Sequence, residues 1–175
     1  MIFLKRLEYV IAILFLVLSF RLVAEPAHAL TMDEGRAHYI IELMKHITWP
    51  NEDHISHFNI IILGNDKNLL TALNNKSKRV IRGKSVSIDQ QESLNEAINK
   101  VDVFFVRRNK SSLIPQINAK HKNVLIISEG NVSKENLMIG VLTLRNSIKL
   151  TVNRENLIKY GFIISNGLLD FAGTK

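Results

Sequence analysis

The run FNIIILG at residues 58–64 limits the possible folds of this chain more than any other stretch. Its apolar residues are continuous, whereas a strand with one exposed face alternates apolar and polar residues. We therefore expect a strand that is covered on both faces. Two later runs, VDVFFV at residues 101–106 and NVLIIS at residues 123–128, have the same character, and SVSI at residues 85–88 is a shorter strand.

Stretches with helical periodicity precede and separate these strands. From Asp33 onward apolar residues recur every three or four positions, which predicts an amphipathic helix that runs to about Thr48. Trp49-Pro50 follows, and the residue before a proline disfavours the helical conformation. The alternation of strand and helix predicts an α/β fold with three layers, in which helices flank a mainly parallel sheet. Further helices are predicted at residues 66–75, 91–100 and 111–120.

The pattern changes near the carboxyl end of the chain. LMIGVLTLRNSIKLTV at residues 137–152 contains two strands about residues 145–147, and the second strand alternates apolar and polar residues. This indicates an antiparallel hairpin at a sheet edge, with one face buried and one exposed. Two short helices are predicted after it, at residues 153–161 and 165–173, with Asn153 as the cap of the first.

Residues 1–29 have the layout of a secretory signal peptide. The start is basic, an apolar run covers residues 9–20, and the final AHA fits a cleavage site of the small-x-small type. The apolar run is shorter than the ~20 residues that a membrane-spanning helix needs. We therefore predict cleavage after Ala29 and export to the periplasm, with an uncleaved membrane anchor as the alternative.

The part that remains, residues 30–175, has the length of one domain. The chain contains no cysteine, which excludes thiol catalysis, disulfide exchange and cysteine metal sites. Its formal charge is +7. For an exported chain this charge favours anionic lipid head groups, acidic cell-wall polymers or an acidic protein as partners, and not nucleic acid. A basic surface that serves only solubility is the alternative.

These segments, in their order and spacing, resemble the YfiR-like family over residues 35–172. The resemblance implies a periplasmic regulator that represses an inner-membrane diguanylate cyclase by contacting its periplasmic part, and so lowers cyclic-di-GMP and biofilm formation. It also implies an OmpA-like outer-membrane lipoprotein that sequesters the repressor. The sequence leaves open whether the chain forms a homodimer. The segments that carry the resemblance are ITWP, FNIIILG, IRGKSVSI, VDVFFV, VLIISEG, LMIG and IKLTVNRENLIKYGFIISNGLLDFA.

Three features differ from the pattern of the family. The paired cysteines that brace some members are absent, so redox control is not expected. Asn136-Leu137 stands where a glycine pair often occurs, and the strand that ends in LTVN, residues 150–153, lacks a common acidic residue.

The end of the first helix is a candidate surface for a partner. On a helical wheel the polar stripe of this helix extends to Trp49, the only tryptophan, and faces away from the core side. In one interpretation Trp49 anchors an interface. In the other it folds back over the helix end and its N–H bonds a backbone carbonyl. Together with the hairpin, the predicted partner-binding residues are His38, Glu42, Lys45, Trp49, Arg145 and Lys149.

A second candidate site lies at the carboxyl ends of the parallel strands, where open α/β sheets bind ligands. Asn65 follows the first strand, Arg107 and Arg108 follow the third, and Ser128 ends the fourth. The basic side chains could attract a small anion or carboxylate, which gives the alternative function of a periplasmic small-ligand-binding module. Solvated strand ends, with Asp66 as a helix cap, are the other interpretation.

Enzymatic chemistry is not predicted. His54 and His57 with Asp53 could share a metal ion, but no His-Glu-x-x-His motif is present, and a solvated loop is the favoured interpretation. The chain lacks the Gly-x-Ser-x-Gly turn of serine hydrolases and the glycine-rich motifs of nucleotide-binding proteins. We expect no catalytic residue, no metal site and no cofactor.

Overall fold

The computed structural model describes residues 31–77, 80–94, 98, 100–130, 132–144 and 147–172. The predicted signal peptide lies outside these residues, and so does Arg145 at the turn of the predicted hairpin. Within the described ranges no helix is both long enough and apolar enough to cross a bilayer.

Helix α1, Met32–His46, begins with a capping box. The side chain of Thr31 accepts a hydrogen bond from the backbone N–H of Glu34, and the Glu34 carboxylate accepts one from the N–H of Thr31. The predicted extension of this helix to about Thr48 is wrong. Ile47–Thr48 instead form a short strand, β1, which pairs with Ile163–Ile164. Both segments are rich in β-branched residues, which favour strands.

The main sheet has six strands: β2 (His57–Leu63), β3 (Ser85–Gln91), β4 (Val103–Val106), β5 (Leu125–Glu129), β6 (Ile139–Leu144) and β7 (Ser147–Val152). They lie in the order β3-β2-β4-β5-β6-β7. All neighbouring pairs are parallel except the last, where β7 runs antiparallel to β6. The predicted mainly parallel sheet with a carboxyl-terminal hairpin at its edge is therefore confirmed.

Helices flank this sheet, which confirms the predicted α/β fold with three layers. The helix predicted at residues 91–100 is wrong at its start, because Gln91 belongs to β3 and Glu92–Leu94 are not helical. Residues 95–97 and 99 lie outside the described part. The remaining elements are α2 (Lys67–Ser77), α3 (Ile114–Lys120), α4 (Arg154–Lys159), β8 (Ile163–Ile164) and α5 (Asn166–Phe171), with 3-10 turns at Glu52–His54 and Arg108–Leu113.

The core forms where the continuous apolar strands meet the helices. Phe58 on β2 and Phe104 and Phe105 on β4 have no exposed surface, so these strands are covered on both faces as expected. Helix α1 packs beside α2 and reaches the edge strand β7. A Cβ atom at Gly35 of α1 would lie only 3.0 Å from Cδ1 of Ile148. The side of the hairpin that carries Ile148 therefore faces α1.

Candidate functional site

Trp49 is buried, with 2% of its surface exposed. Its indole Nε1 donates a hydrogen bond to the backbone carbonyl of Asp102, at 2.9 Å. The ring packs 4.9 Å from the ring of Phe58 and meets Phe162 edge-on at 5.8 Å, measured between ring centroids. The structure therefore agrees with the interpretation in which Trp49 folds back over the helix end and bonds a backbone carbonyl. The prediction that Trp49 is an exposed interface anchor is wrong. The wheel placed it outward because it assumed that the helix continued past His46.

Arg82 fixes the same corner of the molecule. Its guanidinium lies 5.5 Å from the ring centroids of both Trp49 and Phe58, and it forms hydrogen bonds to both carboxylate oxygens of Glu52. It also donates to the carbonyl of Met44, which belongs to the last turn of α1. The Arg82 guanidinium thus bonds a carbonyl of the last helical turn, pairs with a carboxylate and covers two aromatic rings. The arrangement is that of a rigid structural corner.

The other predicted residues of α1 form an exposed stripe. The side chains of His38 and Lys45 are 45% and 40% exposed, and the Lys45 ammonium lies 2.6 Å from the Glu42 carboxylate. Lys149, however, lies on the opposite side of the sheet, because it is next to Ile148 in β7 and neighbouring strand residues point to opposite faces. The structure therefore does not bring the predicted partner-binding residues into one surface. Arg145 lies outside the described residues.

The side of the hairpin turned away from α1 carries apolar side chains. We define the hairpin face as Gly140, Leu142, Leu144, Lys149 and Thr151, because β6 and β7 pair Leu142 with Lys149 and Gly140 with Thr151. Leu144 is 48% exposed. Grooves of 410 Å³ and 200 Å³ adjoin this face, and both are lined by Leu137 and Thr151.

Two asparagines hold one wall of these grooves in place. The side-chain amide of Asn156 donates to the carbonyls of Lys134, Glu135 and Leu137 at 2.7–3.1 Å. Asn153 caps α4, as predicted, by accepting from the backbone N–H of Asn156. The loop before β6 is therefore tied to the start of α4.

Two further exposed apolar side chains lie at the end of α4 and in β8. Ile158 is 55% exposed and Ile163 is 69% exposed. A Schellman turn joins them, in which Gly161 has φ +83° and the N–H of Phe162 bonds the carbonyl of Leu157. Exposed large aliphatic side chains of this kind are typical of contact surfaces when they are grouped.

The carboxyl edge of the parallel strands carries a largely buried ion cluster. Arg36 of α1 is 7% exposed, and its guanidinium lies 2.9 Å from the Asp66 carboxylate and 3.0 Å from that of Glu129. It also pairs with Asp33. Arg107 pairs with Asp66 and lies 3.2 Å from Glu129. We call Arg36, Asp33, Asp66, Arg107 and Glu129 the strand-end cluster.

The predicted ligand-binding residues are mostly engaged within the protein. Arg107 belongs to the strand-end cluster, and Ser128 is buried and donates its hydroxyl to the carbonyl of Ile139. The Asn65 amide oxygen accepts from Gln90 at 3.4 Å. Arg108 is exposed, and its stem lies against Gly130, where a Cβ atom would approach it to 3.0 Å. Of the four residues, Arg108 is the one that presents its charge to solvent.

Arg36 is the central cluster residue that was not predicted from the sequence, and Asp33 and Glu129 were not predicted as its partners. Its position was a usable signal, because Arg36, Ile40, Leu43 and Ile47 recur at helical spacing and so place the charge on the buried stripe of α1. A buried charge requires a partner. Asp66 was expected as a helix cap, and it does accept from the N–H of Leu69 at 3.1 Å.

At the amino edge of the sheet, two titratable groups have shifted pKa values. Burial raises the pKa of the Asp102 carboxyl, although a hydrogen bond from the backbone N–H of Asn59 opposes the shift. Burial lowers the pKa of His121, and the charge of Lys120 lowers it further. His57, a considered metal ligand, instead has Nδ1 3.1 Å from the Ser56 hydroxyl. In the part of the chain that the structure describes, no three candidate ligands are grouped for a metal ion.

Comparison with known proteins gives one family. A family model described as YfiR/HmsC-like matches residues 33–173, which is most of the chain. Comparison with curated proteins gave no match. The match covers α1, the whole sheet and the carboxyl-terminal helices, so it includes every surface described above.

Proposed function

We propose, from the premise that the chain belongs to the YfiR/HmsC-like family, that it is a periplasmic regulator which represses an inner-membrane diguanylate cyclase. It acts by contacting the periplasmic part of that enzyme, and it thereby lowers cyclic-di-GMP and biofilm formation. The observation that carries this proposal is the family match over residues 33–173. An OmpA-like outer-membrane lipoprotein is the proposed second partner.

A role in binding another protein agrees with the contacts of the strand-end cluster and with the exposed apolar side chains. In the strand-end cluster, two arginines pair with three carboxylates, so these charged groups are engaged with each other within the protein. Several apolar side chains, in contrast, keep about half or more of their surface exposed. Such groups suit contact with another protein.

The hairpin face is the proposed contact surface for the cyclase. It combines Leu144, which is half-exposed, with the adjoining grooves, into which a partner side chain could insert. Lys149 on the same face adds a positive charge. Apolar anchors that enter a pocket beside polar groups carry most of the binding energy in protein interfaces. The outer stripe of α1 lies on the other side of the sheet and is not part of this surface.

Affinity capture from detergent-solubilised inner membranes tests the surface. The tagged protein should retain a diguanylate cyclase, identified by mass spectrometry through its cyclase domain. Leu144→Glu should weaken this capture by about tenfold or more, because a charge is forced into an apolar contact. Ile163→Glu is the matched control, since it places the same charge on another exposed aliphatic position.

The experiment separates an error in the proposed contact surface from an error in the proposed function. Loss of capture with Ile163→Glu and not with Leu144→Glu would move the contact to the region after α4. Failure of the unmodified protein to retain any cyclase would count against the proposed partner itself.

A further inference from the structure

The basic side chains at the carboxyl edge of the parallel sheet form ion pairs, whereas three lysines at the amino edge do not. At the carboxyl edge Arg36 and Arg107 belong to the strand-end cluster, and the Lys110 ammonium lies 3.2 Å from the Glu92 carboxylate. At the amino edge, Lys100, Lys120 and Lys122 have no ion pair with any residue that the structure describes. The three lysines are exposed. Their charges therefore face solvent.

The strand register brings these three lysines together. Val103 of β4 pairs with Leu125 of β5, and adjacent strands lie about 4.8 Å apart. Lys100 precedes Val103 by three residues and Lys122 precedes Leu125 by three residues. The two lysines therefore approach the same edge from neighbouring loops. Lys120 ends α3, two residues before Lys122 in the same connection.

The acidic groups of this edge leave the lysine group positive. Glu52 is neutralised by Arg82, as described above. The Asp102 carboxylate is turned to the backbone of Asn59, from which it accepts a hydrogen bond at 2.8 Å. The exposed carboxylates of the described amino edge are Asp53, Glu135 and Glu155, and Glu155 lies 3.9 Å from the Lys134 ammonium. The three exposed lysines therefore stand against two exposed carboxylates, Asp53 and Glu135, that form no ion pair with a described residue.

An exposed apolar side chain accompanies these charges. Val80 is 63% exposed and lies in the loop that leads into β3. β3 begins at Ser85, which pairs with His57 at the start of β2, so this loop reaches the same amino edge. The amino edge therefore combines lysines with one aliphatic side chain that no described residue covers.

We propose that this amino edge, made of Val80, Lys100, Lys120 and Lys122, binds the surface of a membrane that contains anionic phospholipids. Lysine ammonium groups near such a surface are attracted by the summed charge of many phosphates and need no fixed partner geometry. A single aliphatic side chain adds burial at the level of the head groups. None of these four residues lines the 410, 340 or 200 Å³ groove. Exposed lysines that lie outside a groove suit a fluid lipid surface, because attraction to many phosphates does not require a shaped pocket.

Co-sedimentation with vesicles tests this inference. The purified protein should sediment with vesicles of phosphatidylethanolamine and phosphatidylglycerol and not with vesicles of phosphatidylcholine alone. Added salt should release it, because screening weakens the attraction between exposed charges. Exchanging all three lysines, as Lys100→Glu, Lys120→Glu and Lys122→Glu, should lower the partition coefficient by about a hundredfold or more. Lys100→Gln, Lys120→Gln and Lys122→Gln form a milder set that keeps the test valid if the reversed charges impair folding.

The matched control changes the net charge equally on the carboxyl side of the sheet, with Lys67→Glu, Arg108→Glu and Lys149→Glu, all at exposed positions. This control should retain most of the vesicle binding. Equal losses in the two triple variants would overturn the proposal, because net charge and not the amino edge would then govern binding. Absence of sedimentation with anionic vesicles, or stronger binding to polyglutamate than to these vesicles, would also overturn it.

Discussion

The indole N–H of Trp49 donates to the backbone carbonyl of Asp102, which also accepts from the backbone N–H of Leu125. One carbonyl therefore joins the segment after α1 to the amino ends of β4 and β5. The aromatic contacts of Trp49 with Phe58 and Phe162 extend this junction to β2 and to the carboxyl-terminal segment. The tryptophan is a structural junction and not a surface anchor.

Replacement of Trp49 should accordingly destabilise the fold. Trp49→Ala removes a fully packed indole and should lower the free energy of unfolding by about 3–5 kcal/mol. Trp49→Phe should cost less, because a phenyl ring retains part of the apolar packing against Phe58 and Phe162. Urea denaturation followed by circular dichroism measures both. Lys45→Ala, on the exposed stripe, is the control and should change stability by less than about 0.5 kcal/mol. Equal stability of Trp49→Ala and the unmodified protein would contradict the burial of the indole.

Arg36 should be the most sensitive member of the strand-end cluster. Arg36→Met leaves Asp33 without its partner and removes one of two cations from Asp66 and Glu129. Breaking a buried ion pair from one side costs about 3–5 kcal/mol, because the remaining charges stay buried. Thermal unfolding measures the loss. Arg108→Ala, at an exposed arginine of the same edge, is the control and should have little effect. A larger loss from the control would refute the assignment of Arg36 as the central cation.

The raised pKa of Asp102 predicts a pH dependence with a definite sign. In a window above the ordinary pKa of 3.8, the folded protein retains a proton that the unfolded chain has lost. The contribution of Asp102 to stability therefore falls as the pH rises through this window. Asp102→Asn keeps an oxygen that can accept from the Asn59 N–H and removes the titration. Its stability relative to the unmodified protein should therefore improve between pH 3.8 and neutral pH. Denaturant titrations at several pH values measure this difference, and a trend of opposite sign would contradict the assignment.

Asn156 connects stability with the proposed contact surface. Asn156→Ala leaves the carbonyls of Lys134, Glu135 and Leu137 without their shared donor. We expect a loss of about 1–3 kcal/mol in the free energy of unfolding. We also expect weaker cyclase capture, because the loop that it fixes lines the groove beside the hairpin face. Asn136→Ala, which removes one exposed bond to Ser133, should affect neither measurement strongly. Normal stability with Asn156→Ala would show that the three bonds contribute little.

The sheet could be predicted from sequence because its signals are local. The continuous apolar run at residues 58–64 specified a strand covered on both faces, and the alternation about Lys149 specified the exposed edge of a hairpin. Each inference needed only neighbouring residues. The end of α1 was harder to predict from the sequence, because β1 forms only through its pairing with β8, far along the chain.

The sites depended on contacts between distant segments. Arg36 and Glu129 are 93 residues apart, and Trp49 and Asp102 are 53 apart, so no local pattern joins either pair. The wheel of α1 placed His38, Glu42 and Lys45 on its outer side, where the Glu42 side chain is half-buried and those of His38 and Lys45 are 45% and 40% exposed. It could not show that Lys149 lies on the other side of the sheet, since that depends on which hairpin face α1 covers. The sequence placed Arg107 at the carboxyl edge, but it could not show that Arg107 forms ion pairs with Asp66 and Glu129.

The level of cyclic-di-GMP in cells tests the central proposal most directly. Deleting the gene for this protein in its native strain should raise the nucleotide level. A full-length copy should restore the original level, whereas a copy without residues 1–29, the predicted signal peptide, should not, because the proposed repression requires export. Unchanged cyclic-di-GMP after deletion, or full restoration by the leaderless copy, would contradict the account.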